Sequence, residues 1–185
     1  MQYLEKIEYT GDPSKVIMPG GFYLWTLIAP DIPVTDLKVW EFFGSYRFYN
    51  PGSRHGLPRI ELKFNEITEH TTFIGESVII YNLLDEMRLN SSDAKATVFR
   101  IEVFDTGERI LVVVSDDGEG IKHQEVKDKL FNTDVSTRPS GAGLALWLNG
   151  RPQLQKMGAE INYKGTGIDG KGASFEMSFL KKMPT

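Results

Sequence analysis

The sequence predicts a two-layer α/β (α+β) sandwich, one mixed β-sheet with helices on one face. Three observations predict it. Five segments read as strands, two or three others carry apolar residues at helical spacing, and the two kinds are interleaved along the chain. The chain has 185 residues, 41% of them hydrophobic, enough for one domain with a substantial core.

The first 55 residues are rich in aromatics and in Pro/Gly punctuation. Within them "TDLKVWEFFGSYRFYN" (35–50) has an N-cap candidate in Thr35 or Asp36 and reads as a short helix, apolar nearly all round. "NPGSRHGLP" (50–58) is a loop by composition. It divides an N-terminal extension of unknown role, 1–55, from a regular domain, 56–185. "RIELKFNEI" (59–67) alternates like a strand, and 71–90 reads as a helix with an apolar stripe of Phe73, Ile80, Leu83, Leu84 and Met87. "TVFRIEVF" and "RILVVVS" are two strands joined by a turn at "DTGE" (105–108). A polar segment from Lys122 to Ser140 follows. The next helix starts near Gly143, with Leu144, Trp147, Leu148 and Leu154 on its apolar side and Pro152 expected to kink or end it. "GAEINYKG" and "GASFEMSFL" close the sheet around a Gly-rich loop.

Composition narrows the partners. Net charge is −4 and no Lys/Arg run stands out, so nucleic acid and anionic membrane surfaces are poor candidates. There is no cysteine, hence no disulfide framework and no thiolate metal site, which suits a reducing, cytoplasmic setting. The longest apolar stretch, 20–30, is too short to span a bilayer.

Four local features carry chemistry. Asn82 and Glu86 lie four apart, on the helix face opposite the apolar stripe. An amide and a carboxylate stacked this way suit a magnesium ion, which prefers hard oxygen ligands and keeps several waters; a solvated polar face is the plainer reading. Asp116, in "SDDGEGI" (115–121), ends a buried apolar run, so its carboxylate can sit at the floor of a pocket and accept from an adenine amine. Gly118 and Gly120 would let the backbone pass close beneath the ring, although Gly-rich turns of this kind occur in unrelated loops. Gly141, Ala142 and Gly143 precede a helix, and a helix start with little side-chain bulk offers free N–H groups and a positive dipole end to phosphate, or simply packs closely. "GKGASF" (170–175), on its own, is only a loop.

Order and spacing together resemble the ATP-binding fold of the gyrase, heat-shock chaperone, histidine kinase and MutL superfamily, and within it the catalytic ATPase domain of sensor histidine kinases. "NLLDEMR" (82–88) resembles their N box, "DDGEGI" (116–121) the G1 box, "KLFN" (129–132) the F box, "GAGLAL" (141–146) the G2 box and "GKGASF" the last Gly-rich box. The resemblance covers roughly residues 59–181.

It implies a Bergerat-type fold and Mg2+-dependent transfer of the ATP γ-phosphoryl group to a histidine on another domain or chain. Asn82 and Glu86 would be the catalytic and metal-binding pair. Asp116, Gly118, Gly120 and Ile121 would hold the adenine end, with Ser174. A lid from Lys122 to Ala142, pinned by Phe131, would cover the phosphates, with Arg138 as a clamp and Gly141, Ala142, Gly143 and Leu144 beneath them. One departure is the N box, where the family usually has Asn at the position of Glu86, while a Glu that activates water elsewhere in the superfamily falls at Asn82. The basic residue expected near 89 is Leu89, with Arg88 beside it. None of His55, His70 and His123 has the context of a phosphoacceptor. The acceptor would then be a partner, a homodimer is possible, and the alternative is a nucleotide-gated binding module, anti-sigma-like or pseudokinase, with little or no phosphotransfer.

Overall fold

A computed structural model describes residues 34–49, 56–122, 130 and 151–182. In chain order the elements are β1 (Thr35–Lys38), α1 (Val39–Tyr49), β2 (Arg59–Asn65), β3 (Thr72–Gly75), α2 (Ser77–Asp93), β4 (Val98–Asp105), β5 (Arg109–Asp116), α3 (Arg151–Lys156), β6 (Glu160–Gly165), a single 3-10 turn (Ile168–Gly170) and β7 (Ser174–Leu180).

The five-stranded sheet has the order β2-β4-β5-β7-β6. Among the described strands only β2 and β4 pair in parallel, with Ile60 opposite Phe99, and the connection between them carries β3 and α2. The other pairings are antiparallel. The β4–β5 hairpin is the one expected: Gly107 takes φ 90°, and the Thr106 N–H donates to the Arg109 carbonyl at 3.0 Å.

Alternation decides which face is covered. Phe99, Ile101 and Val103 of β4, Ile110, Val112 and Val114 of β5, and Phe175, Met177 and Phe179 of β7 are buried in one core with Ile79, Ile80, Leu83, Leu84 and Met87 of α2. Several intervening positions are charged and pair across strands: Arg100 Nη2 lies 2.9 Å from Glu61, Lys63 3.5 Å from Glu102, Lys164 3.4 Å from Glu176. One face is packed under α2 and the other carries these charged pairs, so the architecture is the expected two-layer α/β sandwich.

Two expectations are corrected. Residues 72–75 are a strand, not the start of α2, so Phe73 reaches the core from β3 and not from the helical stripe. The β-branched and aromatic run pairs antiparallel with β1, Leu37 opposite Phe73. The helix begins only after Glu76, whose Oε2 accepts the Ile79 N–H at 2.8 Å as an N-cap. Phe73 fits the helical count by coincidence, being seven residues before Ile80. Likewise residues 35–38 are extended and only 39–49 are helical. The helix start expected near Gly143 lies outside the described residues; α3 is described over Arg151–Lys156.

The composition boundary at 55/56 does not coincide with a break in packing. Val39, Phe42, Phe43 and Tyr46 of α1 are buried in the same core, and the Phe42 ring meets Phe73 edge-on at 5.5 Å. Among the described residues, no helix is long and apolar enough to cross a membrane.

Candidate functional site

Asp116 is the last residue of β5, where the strand's inward side chain emerges at the sheet's end. It is 6% exposed. Its Oδ1 accepts the Gly118 N–H at 2.8 Å, and its Oδ2 lies 3.1 Å from the Ser91 hydroxyl of α2. Burial pushes the carboxyl above its usual range, and the Gly118 and Ser91 hydrogen bonds only partly oppose this. A buried acceptor held at the end of a strand suits an amine-bearing ring.

The adjacent Asp117 does different work. Burial opposes its ionisation, yet donors from Thr97 N (2.7 Å) and Oγ1 (2.5 Å) and from Val98 N (2.9 Å) hold its carboxyl below the ordinary range. It fastens the loop after β5 to the start of β4. Glu119, at the exposed rim, is lowered to about 2 by the Lys122 and Lys95 ammonium groups.

The glycines around Asp116 are demanded by protein backbone. A Cβ on Gly118 would come within 2.7 Å of the Ala94 carbonyl oxygen, and one on Gly120 (φ 69°) within 2.6 Å of the Gly172 carbonyl. At Gly172 (φ 69°) it would overlap the Asp116 carbonyl and Oδ1. The two loops that the sequence marks as separate Gly-rich runs thus interlock beneath one carboxylate. This packing demands glycine at both positions independently of any ligand.

Asn82 and Glu86 share one side of α2 and are partly exposed, whereas Ile80, Leu83, Leu84 and Met87 are buried, as the helical spacing predicts. Little more than a turn beyond Glu86, the same helix delivers Ser91 to Asp116. Among the described residues no group of three or more His, Cys, Asp or Glu side chains could hold a metal ion by itself. An amide and a carboxylate on one side of a helix suit a hard cation that keeps several waters. Arg88, next to the position where the family carries a base, turns inward: its Nε and Nη2 donate to the Pro58 carbonyl at 3.0 and 2.7 Å. Leu89 is exposed. Ser174 is buried at the start of β7, opposite Ser115, and Ile121 packs against the core's edge. Phe131, Arg138, Gly141, Ala142, Gly143 and Leu144 lie outside the described residues, as do His55 and His123; His70 is an exposed turn residue 3.3 Å from Glu69.

Two contributors were missed in the sequence. Ser91 gives no local signal, since a serine late in a helix reads as solvent-facing. Asp117 was passed over because its neighbour carries the motif.

Residues 75–183 match the family described as histidine kinase-, DNA gyrase B-, and HSP90-like ATPase. The chain belongs to this ATPase family. No curated protein gives a significant match. Solved structures with the same fold include the catalytic domain of histidine kinase ThkA, with a TM-score of 0.64 at 19% identity, covering 81% of this chain and 97% of that one. The ATP-binding domain of PrrB from Mycobacterium tuberculosis follows at a TM-score of 0.59 and 13% identity, covering 82% and 98%. Full-length ShkA in complex with AMPPNP gives 0.65 at 17% identity, over 88% of this chain and 35% of that one. At these identities the likeness is one of fold.

Proposed function

We propose that the chain binds ATP with Mg2+ and serves as the catalytic ATP-binding unit of a histidine-kinase-like protein, passing the γ-phosphoryl group to a histidine on another domain or chain. The observation that carries the reading is Asp116: a buried carboxylate at a strand end, with one oxygen held by Gly118 and the other reached by Ser91. Ionised, it is an acceptor only, and an exocyclic amine is the donor that satisfies it. Ser174 and Ile121 border the same end of the sheet.

Asn82 and Glu86 present an amide and a carboxylate toward the phosphate end. Mg2+ bound there would neutralise charge on the phosphate oxygens as the γ-group leaves. The chain's contribution is position and charge compensation, since in-line phosphoryl transfer needs little covalent participation from the protein. Arg138, Phe131 and the glycines at 141–143 complete the proposed phosphate side.

A second reading has one residue in its favour. Glu86 stands where these kinases usually carry an amide, and a nucleotide-gated binding module results if the carboxylate there does not support transfer. Incubating the chain with γ-labelled ATP and histidine-bearing acceptor domains separates the two. Label on an acceptor histidine establishes the kinase; tight ATP binding with no label on any acceptor establishes the module. Failure to bind ATP at all refutes both.

A further inference from the structure

Ser91 has one proton and two acceptors. Its Oγ lies 2.9 Å from the Met87 carbonyl and 3.1 Å from Asp116 Oδ2, and the residue is buried. A hydroxyl donates once and accepts up to twice. Two arrangements satisfy this geometry. With Asp116 ionised, Ser91 donates to Oδ2. With Asp116 protonated, the acid's own O–H donates to Ser91 Oγ, which turns its proton back to Met87, the ordinary i−4 bond of a helical serine.

We infer that Ser91 is a specificity-determining residue that keeps Asp116 an acceptor toward the ligand in both protonation states, so that the site takes 6-aminopurine and rejects 6-oxopurine nucleotides. The inference rests on the nucleotide reading above. Its physical content is that a bare protonated carboxyl offers a donor to a 6-oxo group. With Ser91 present that donor is already engaged inside the protein, and Gly118 occupies Oδ1. Discrimination then survives acidification instead of fading with it. The upward displacement of the Asp116 carboxyl by burial brings its protonated form closer to working pH, which gives such a device something to guard against.

Among the described residues, the titratable groups that bear on Asp116 are Asp117 and Tyr163, and both are displaced away from the range tested. Asp117 is held ionised by Thr97 and Val98, and the Tyr163 phenol of β6 is displaced upward from its already high range, by burial first and by Asp116 second. From α2, the group that faces the carboxylate is Ser91 itself.

The test compares ATP with inosine triphosphate binding to the whole chain between about pH 5 and about pH 8, alongside an NMR titration of the Asp116 carboxyl without nucleotide. Ser91→Ala preserves helix propensity, and Ser91→Cys is near-isosteric with only a weak donor. For the wild type the ratio of the two affinities stays flat with pH. For both variants the preference for ATP shrinks by about tenfold at the acid end, the worth of one hydrogen bond, and the Asp116 carboxyl titrates higher than in wild type. Wild-type ATP binding together with a flat ratio and an unmoved Asp116 titration in both variants overturns the role of Ser91 alone. A wild type that binds neither nucleotide, or an Asp116→Asn variant that binds ATP as tightly as wild type, overturns the nucleotide reading and the selectivity with it.

Discussion

The backbone N–H of Glu119 donates to the carbonyl of Ala94 at 2.8 Å, fastening the end of α2 to the loop that follows β5. Lys95 adds an ion pair to Glu119 at 2.6 Å, and Asp117 ties the same loop to Thr97 and Val98. The C-terminal end of the helix that carries Asn82 and Glu86 is therefore tied to the loop that follows Asp116.

Asp116→Asn separates binding from stability. Nucleotide affinity should fall by about tenfold or more, because the amide presents a donor where the amine needs an acceptor. Stability should move the other way. The Asp116 carboxyl is raised in the folded state, so its favourable contribution is present below the unfolded value and is lost as pH rises through the folded one. At neutral pH the ligand-free variant should melt at or above wild type, and near about pH 4 that advantage should vanish. Thermal melts across pH, with ATP titrations at neutral pH, check both halves.

Gly172→Ala should cost about 2–4 kcal/mol, since the new Cβ overlaps the Asp116 carbonyl at a positive φ. Gly170→Ala is the control. Its φ is also positive, at 76°, but open space surrounds it, so about 1 kcal/mol is expected. Denaturant unfolding of the pair measures the difference, and equal losses would show that the close approach beneath Asp116 contributes nothing.

Much of this was legible in advance, and the limits have physical causes. The sheet was readable because one face is buried, so Phe99, Ile101 and Val103 alternate with polar residues. The α2 stripe at Ile80, Leu83, Leu84 and Met87 was readable for the same reason. The start of α2 was misplaced because β3 holds only four residues, and its signals, β-branching and Gly75, compete with a longer helical pattern. A Cβ on Gly75 would sit 2.7 Å from Ile80 Cδ1, a constraint that exists only after the chain turns. The Asp116 site was half visible: the strand exit and glycines are local, but the Ser91 contact spans the chain between α2 and β5 and leaves no periodic trace.

Arg88→Ala should destabilise by about 2–4 kcal/mol, leaving the buried Pro58 carbonyl without its two donors. It also removes a positive charge beside Asp85, whose carboxyl burial already raises and whose Oδ1 accepts from the Tyr46 hydroxyl at 2.9 Å. Leu89→Lys, one residue on and exposed, should change stability by less than about 0.5 kcal/mol. Chemical denaturation of both variants tests the assignment of Arg88 to structure. A neutral Arg88→Ala would refute it.

Glu86→Ala should abolish the Mg2+-dependent part of ATP affinity, while Glu86→Asn, which restores the amide usual in these kinases, should retain it. ATP titrations with and without Mg2+ decide the matter, and an unchanged magnesium response in Glu86→Ala would contradict the metal assignment.

The burial of α1 has a practical side. Val39, Phe43 and Tyr46 are wholly enclosed, and Tyr46 reaches across to Asp85. A fragment begun at residue 56 would strip the lid from Phe73 and Tyr81, and one trimmed to 75–183 would forfeit β2 as well. Anyone excising the ATP-binding unit should make the cut ahead of Val34, or expect an insoluble remnant.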